Sequence, residues 1–198
     1  MQISPLKVGL IAMPLFGVSV ILYWLFSAMD SGDQGLFGSY SQGEMRAFRT
    51  VQHAPAQPDL VYLDGGGNEV ALSDYRGQII LVNFWATWCA PCVEEMPALN
   101  NLQATLGGED FQVVTISLDR SIEDARNFYE RMDVTHLPLI HDAGLASPSR
   151  VAIAGMPLGL PISILYDRQG REIGRVAAPA VWDSEDAYAL IRAAIRQY

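Results

Sequence analysis

The sequence predicts an α/β layered domain, and three observations predict it. Ile79–Trp85 is almost wholly apolar, as a strand covered on both faces should be, and leads straight into Cys89-Ala90-Pro91-Cys92 and a helical pattern. Strand-like and helix-like patterns alternate from residue 60 to residue 132. A late pair of strand patterns then precedes a C-terminal helix.

The elements follow in order. Leu60–Leu63 and Glu69–Leu72 flank Asp64-Gly65-Gly66-Gly67-Asn68, which reads as a hairpin with a glycine-rich loop. Ser73–Gly77 is a short turn before the apolar strand. The helix that opens at the cysteines should run to about Leu106, because Met96, Leu99, Leu102 and Leu106 recur at three- and four-residue spacing. Pro97 falls inside it and should kink it. Phe111–Leu118 is a second buried strand. Ser121–Met132 is a helix with Ser121 as N-cap and the acids Glu123 and Asp124 in its first turn. Ile162–Tyr166 and Glu172–Ala177 are strands joined by Asp167-Arg168-Gln169-Gly170, and Asp183 should cap a last helix ending near Arg196.

The N-terminal fifth is of a different kind. Val8–Met29 is 22 consecutive residues without a charge. As a helix it would extend about 33 Å, enough to cross a hydrocarbon core. Lys7 precedes it and Asp30 and Asp33 follow, so the positive-inside rule leaves residues 1–7 in the cytoplasm and the rest of the chain outside. A cleaved signal peptide is the alternative, but its apolar region should be shorter, and no clear small-x-small cleavage site follows. Residues 30–57, with glycines among serines, read as a tether with an end-to-end distance of roughly 30 Å. Within it, a short helix is expected around Glu44–Val51. Residues 58–198 form the folded domain.

The net charge of -9, with no basic stripe, argues against nucleic-acid binding. The two cysteines are the chain's whole complement. A bridge between them closes too small a loop to stabilise a fold by chain entropy, so the pair is expected to serve chemistry. At a helix N-terminus, unpaired amides and the positive dipole end favour a thiolate. Cys89 is therefore the expected nucleophile, and Cys92, one turn further in, the resolving thiol. Pro91 suits the first turn because its φ is fixed and it needs no hydrogen-bond acceptor. The competing reading is half a zinc site completed by His136 and His141. These histidines are spaced as in a zinc finger but lie much too far along the chain from the cysteines.

Val82-Asn83-Phe84-Trp85-Ala86-Thr87-Trp88-Cys89-Ala90-Pro91-Cys92 resembles the thioredoxin superfamily, specifically its TlpA/ResA-like periplasmic branch. Pro97 matches that superfamily's helix-kinking proline, and Leu160-Pro161-Ile162 its cis-proline loop, which receives substrate backbone. The similarity covers roughly residues 55–198. Gly43–Phe48 and Ala177–Trp182 resemble the alphaproteobacterial TlpA group within that branch. The resemblance implies a thioredoxin-like fold, a central mixed sheet flanked by helices, here with an N-terminal β-hairpin extension and one transmembrane helix. It implies no cofactor beyond the redox-active Cys89–Cys92 disulfide, and no resident metal.

The resemblance also implies an inner-membrane protein with its catalytic domain in the periplasm, reducing client protein disulfides. The implied clients are a Sco-like copper chaperone and the copper-binding oxidase subunit, with electrons from a membrane donor of the DsbD or CcdA type. Related anchored proteins instead reduce apocytochrome c. A third reading, from a different class, is a copper-delivery module in which His136 or His141 joins the cysteines. One departure stands out: where thioredoxin has a buried Asp, this chain has Asn83, which cannot accept a proton. Glu95, three residues after Cys92, matches the acid that ResA-like proteins place beneath the disulfide. Buried there, it would have a raised pKa and could deprotonate Cys92. Trp88 is expected to shield and pack beside the site, supporting client docking together with Pro91, Leu160 and Pro161.

Overall fold

The computed structural model describes residues 37–51, 56–58, 60–142 and 159–198. In chain order the strands are β1 (Arg49–Thr50), β2 (Val61–Asp64), β3 (Glu69–Ala71), β4 (Ile79–Trp85), β5 (Phe111–Ser117), β6 (Ile140–His141), β7 (Ile162–Tyr166) and β8 (Glu172–Val176). The helices are α1 (Ala90–Leu106), α2 (Ile122–Met132) and α3 (Glu185–Gln197). Among the described residues the strands form one mixed sheet in the order β1-β8-β7-β4-β5-β6-β2-β3. β4 lies at its middle, parallel to β5 and antiparallel to β7. Every residue of β4 is buried, which is why its sequence, Asn83 apart, is a run of apolar side chains rather than an alternation.

The expected hairpin forms as β2 and β3 at one edge of the sheet. Its loop is tied by Asp64, whose Oδ1 accepts from the amides of Gly66 and Asn68 at 2.8 Å each. The core is filled from β4, β5 and β7 and from the inner faces of the helices: Met96, Leu99 and Leu102 on α1, Phe128 on α2, Leu190 and Ile191 on α3. Trp85 closes one end, its ring centroid 5.0 Å from that of Phe128.

Three details depart from expectation. Ser184, not Asp183, caps α3, its side chain accepting from the Ala187 amide at 3.2 Å. Asp183 instead accepts from Asn101 Nδ2 on α1 at 2.9 Å, tying two helices together. The short turn at residues 73–77 begins as a 3-10 helix, Leu72–Tyr75. The two-residue strand β6, which carries His141, has no counterpart in the sequence pattern.

The larger difference concerns residues 37–51, read as part of a flexible tether. They pack on the domain: Phe37, Met45 and Phe48 are buried, and Met45 and Phe48 almost completely. A 3-10 turn, Gly43–Met45, replaces the expected short helix, and β1 then pairs with β8. The physical reason is burial of three large apolar side chains, each contributing roughly 1.5–3 kcal/mol, which offsets the ordering of a glycine- and serine-rich segment. Gly174 on β8 makes room: a side-chain carbon there would lie 2.5 Å from Phe48 Cζ. Residues 1–7 and the expected anchor at residues 8–29 lie outside the described residues. Among the described residues, no helix is long and apolar enough to cross a membrane.

Candidate functional site

β4 and β5 run parallel and end together, with Trp85 opposite Ser117. From the end of β4 the chain turns through Ala86–Trp88, and the Cys89 amide donates back to the Ala86 carbonyl at 3.1 Å. Cys89 is the N-cap of α1, with extended backbone, and its carbonyl accepts the first helical bond from Val93. Its sulfur thus sits where unpaired helix amides and the positive dipole end converge. Cys89 is bonded to Cys92, so this is the oxidised state. Cys89 retains 7% of its surface, whereas Cys92 retains none. Both cysteines are thus largely buried, and Cys89 is the one of the pair that keeps any exposure.

Glu95 lies one turn beyond Cys92 on the same face of α1. Side chains at this spacing have β-carbons about 5–6 Å apart. The carboxyl is buried and held from two sides: Oε1 accepts from Asn83 Nδ2 at 2.8 Å, and Oε2 from the Ala180 amide at 3.0 Å. Burial pushes its pKa up to about 7, against the smaller lowering effects of the Ala180 amide, the Asn83 side chain and Trp182. A carboxyl with that pKa can take or return a proton near neutrality. Asn83 also donates to Ser163 Oγ at 2.9 Å, so one amide links β4, α1 and β7.

The Leu160–Pro161 peptide bond is cis. Ile162 pairs with Phe84 in the antiparallel β4–β7 ladder. Pro161 therefore falls at the end of the sheet from which β4 departs towards the cysteines. Pro91 occupies the first turn of α1, as expected, and Pro97 lies within the helix.

A sheet of this order, with a cysteine pair at a helix mouth and a cis-proline at the same end of the sheet, has counterparts among known proteins. Residues 53–172 match the AhpC/TSA family. The chain belongs to the AhpC/TSA family. Thiol-disulfide oxidoreductase ResA from Bacillus cereus is 25% identical over 147 residues, covering 74% of this chain and 82% of the relative. Thioredoxin-like protein YneN from Bacillus subtilis is 30% identical over 138 residues, covering 68% of this chain and 75% of the relative. Among solved structures, a putative thiol:disulfide interchange protein DsbE from Chlorobium tepidum aligns with a TM-score of 0.63 at 28% identity. That alignment covers 74% of this chain and 99% of the other. This AhpC/TSA-family chain is a thiol-disulfide oxidoreductase of the TlpA/ResA-like branch of the thioredoxin superfamily, working through a cysteine pair rather than a bound cofactor.

The other expected residues of the oxidoreductase are placed as follows. Trp88 is 68% exposed, so it stands out from the surface rather than packing beside the disulfide. His136 is exposed on the loop after α2. His141 is buried in β6, where its Nε2 donates to the Asp119 carbonyl at 2.8 Å. Among the described residues, no group of three or more His, Cys, Asp or Glu side chains converges as a metal would need. The two histidines therefore do not assemble with the cysteines in the oxidised form.

Asp119 is the residue that sequence reasoning missed. It follows β5 and is buried, and its carboxylate reaches across to the loop that carries Trp88. The available signal was an acid directly after a buried strand whose neighbour leads into the cysteines. Ser163 and Ala180, the further partners around Asn83 and Glu95, lie too far along the chain for any local pattern to reveal them.

Proposed function

We propose that the protein is a membrane-anchored reductant of client protein disulfides on the outer face of the inner membrane. The observation that carries this reading is the asymmetry of the pair: a Cys89 at the helix mouth that keeps a little exposure, and a fully buried Cys92 one turn from a buried Glu95 whose pKa is pushed up to about 7. In the reduced enzyme the Cys89 thiolate attacks a client disulfide, forming a mixed disulfide and releasing one client thiolate. Glu95 takes the Cys92 proton. The Cys92 thiolate attacks Cys89 Sγ, closing the enzyme disulfide and expelling the second client thiolate. Two electrons have passed to the client, and a membrane donor of the DsbD or CcdA type restores them.

The uncharged run Val8–Met29 supports an anchor with the domain in the periplasm, and residues 30–36 would then join it to the domain. The client-facing surface comprises the exposed Trp88 and the half-buried Pro91 and Leu160, with the buried cis-Pro161 shaping the loop that carries Leu160. The favoured clients are a Sco-like copper chaperone and the copper-binding oxidase subunit, because copper loads only onto reduced thiols.

Equilibration of the domain in a redox buffer tests the direction of transfer. A reduction potential in the range of the thioredoxins, roughly −270 mV, supports the reading, whereas one near the roughly −120 mV of strong oxidants overturns it. Thiol counting on each oxidised client mixed with reduced enzyme tests the client assignment, and equal rates on unrelated disulfide proteins would remove it.

A further inference from the structure

We infer that Asp119 is a positioning residue for the redox loop, clamping Thr87 so that Trp88 and Cys89 are presented to a client in one geometry. The inference rests on Cys89 being the attacking sulfur. Asp119 Oδ1 accepts from the Thr87 hydroxyl at 2.7 Å and from the Thr87 amide at 3.1 Å. Oδ2 accepts from the same amide at 3.2 Å and from Ser117 Oγ at 2.9 Å. The Asp119 amide in turn donates to Ser117 Oγ at 3.1 Å.

The clamp is itself buttressed. His141 Nε2 donates to the Asp119 carbonyl at 2.8 Å, and the Asp142 amide donates to the Ser117 carbonyl at 2.9 Å. The Leu118 amide donates to the Trp85 carbonyl at 2.8 Å, locking the ends of β4 and β5 together. Asp119 thus ties the end of β5 to the loop after β4 through its carboxylate, and to β6 through its main-chain carbonyl, at the one loop that has to hold a reactive sulfur. Only the exposed Trp88 separates Thr87 from Cys89 in the chain. Thr87, Trp88 and Asp119 also line a cavity of about 440 Å³ together with Leu118, Arg120 and Asp124. Release of Thr87 would therefore alter both the aim of Cys89 and the surface beside it.

The carboxylate's geometry matters here more than its charge, since the side chains that donate to it, Thr87 and Ser117, are neutral. Asparagine retains Oδ1 as acceptor for the Thr87 hydroxyl and amide and gives up only the acceptor contacts of Oδ2, so it should keep most of the clamp, and alanine should not. The test compares Asp119→Ala, Asp119→Asn and Thr87→Val with the parent enzyme, each corrected for folded fraction by thermal unfolding. The readouts are the pH profile of alkylation of reduced Cys89, and kcat and KM for reduction of an oxidised protein client.

Misplacement of a reacting group by about 1 Å costs on the order of a hundredfold. Per folded molecule, Asp119→Ala is expected to lower kcat/KM about tenfold or more and displace the alkylation profile, Thr87→Val to fall between, and Asp119→Asn to stay within about threefold of the parent. Parent-like kinetics in the folded alanine variant, or equal loss in alanine and asparagine variants, overturns the inference. A Cys89→Ser control separates the two levels. If it abolishes exchange while Asp119→Ala is harmless, only the clamp fails; if it leaves exchange intact, the reading of Cys89 fails with it.

Discussion

Asn83 on β4 donates its side-chain amide to Glu95 on α1 at 2.8 Å, joining the central strand to the helix that carries both cysteines. A neutral donor at this point leaves Glu95 as the ionisable group of the pair. On the proposed mechanism, any proton that leaves Cys92 passes to this one carboxyl.

That carboxyl makes the stability of the oxidised protein depend on pH. Its ordinary pKa is 4.5 and its folded pKa about 7. Below 4.5 both folded and unfolded forms hold the proton, and burial of the neutral acid carries no ionisation cost. Between 4.5 and about 7 the unfolded chain releases the proton and the folded one keeps it, so stability falls as pH rises. Glu95→Gln should remove this slope: urea unfolding at pH 5 and pH 8 should show the parent losing roughly 2–3 kcal/mol relative to the variant. The pH-dependent difference is the diagnostic quantity, because glutamine also changes the contact with the Ala180 amide.

Asn83→Asp should be destabilising in the same window. It places a second carboxyl against Glu95 and removes the donor to Ser163. Two carboxylates cannot both ionise in one buried site, so the apparent pKa of the pair should rise further. Unfolding at pH 8 should show a loss on the order of 2–4 kcal/mol, shrinking towards pH 4.

Phe48→Ala should destabilise the whole domain although Phe48 lies forty-one positions before Cys89 in the sequence. The side chain is 1% exposed and rests against Gly174 of β8. Denaturant unfolding should show a loss of about 3–5 kcal/mol in a single transition. A change under about 1 kcal/mol would mean that residues 37–51 behave as a linker after all.

Trp88→Ala should have the opposite profile. Trp88 is 68% exposed, so unfolding should shift by no more than about 0.5 kcal/mol. If the indole anchors the client, KM for a protein disulfide should rise about tenfold, while reaction with a small disulfide stays near the parent rate.

The sequence made the centre of this molecule legible because the centre obeys strong rules. A strand buried on both faces is apolar nearly throughout, with Asn83 the one exception here, so β4 could be delimited to the residue, and a cysteine pair a short turn after it marks the helix start. Glu95 followed from the resemblance to ResA-like proteins, together with its place one helical turn after Cys92. The periphery obeys weaker rules. Residues 37–51 combine glycines and serines with a few large apolar side chains, and composition favours a linker unless the packing partner is known. Strands of two residues, such as β1 and β6, are too short for any period to show. Asp119 was hidden for another reason: its role depends on the register of β4 against β5, which no local pattern carries. The neighbouring residues Asp183 and Ser184 are both competent caps, and only the approach of Asn101 to Asp183 decides between them.

The most direct measurement is the capture of a mixed disulfide. Reduced Cys92→Ser protein, mixed with an oxidised client, should accumulate a covalent adduct that mass spectrometry maps to Cys89, because Cys89 is the less buried cysteine at the helix mouth and its resolving partner has been removed. Exchange that continues in Cys89→Ser, or an adduct absent from Cys89 in the Cys92→Ser protein, would contradict the division of labour between the two sulfurs.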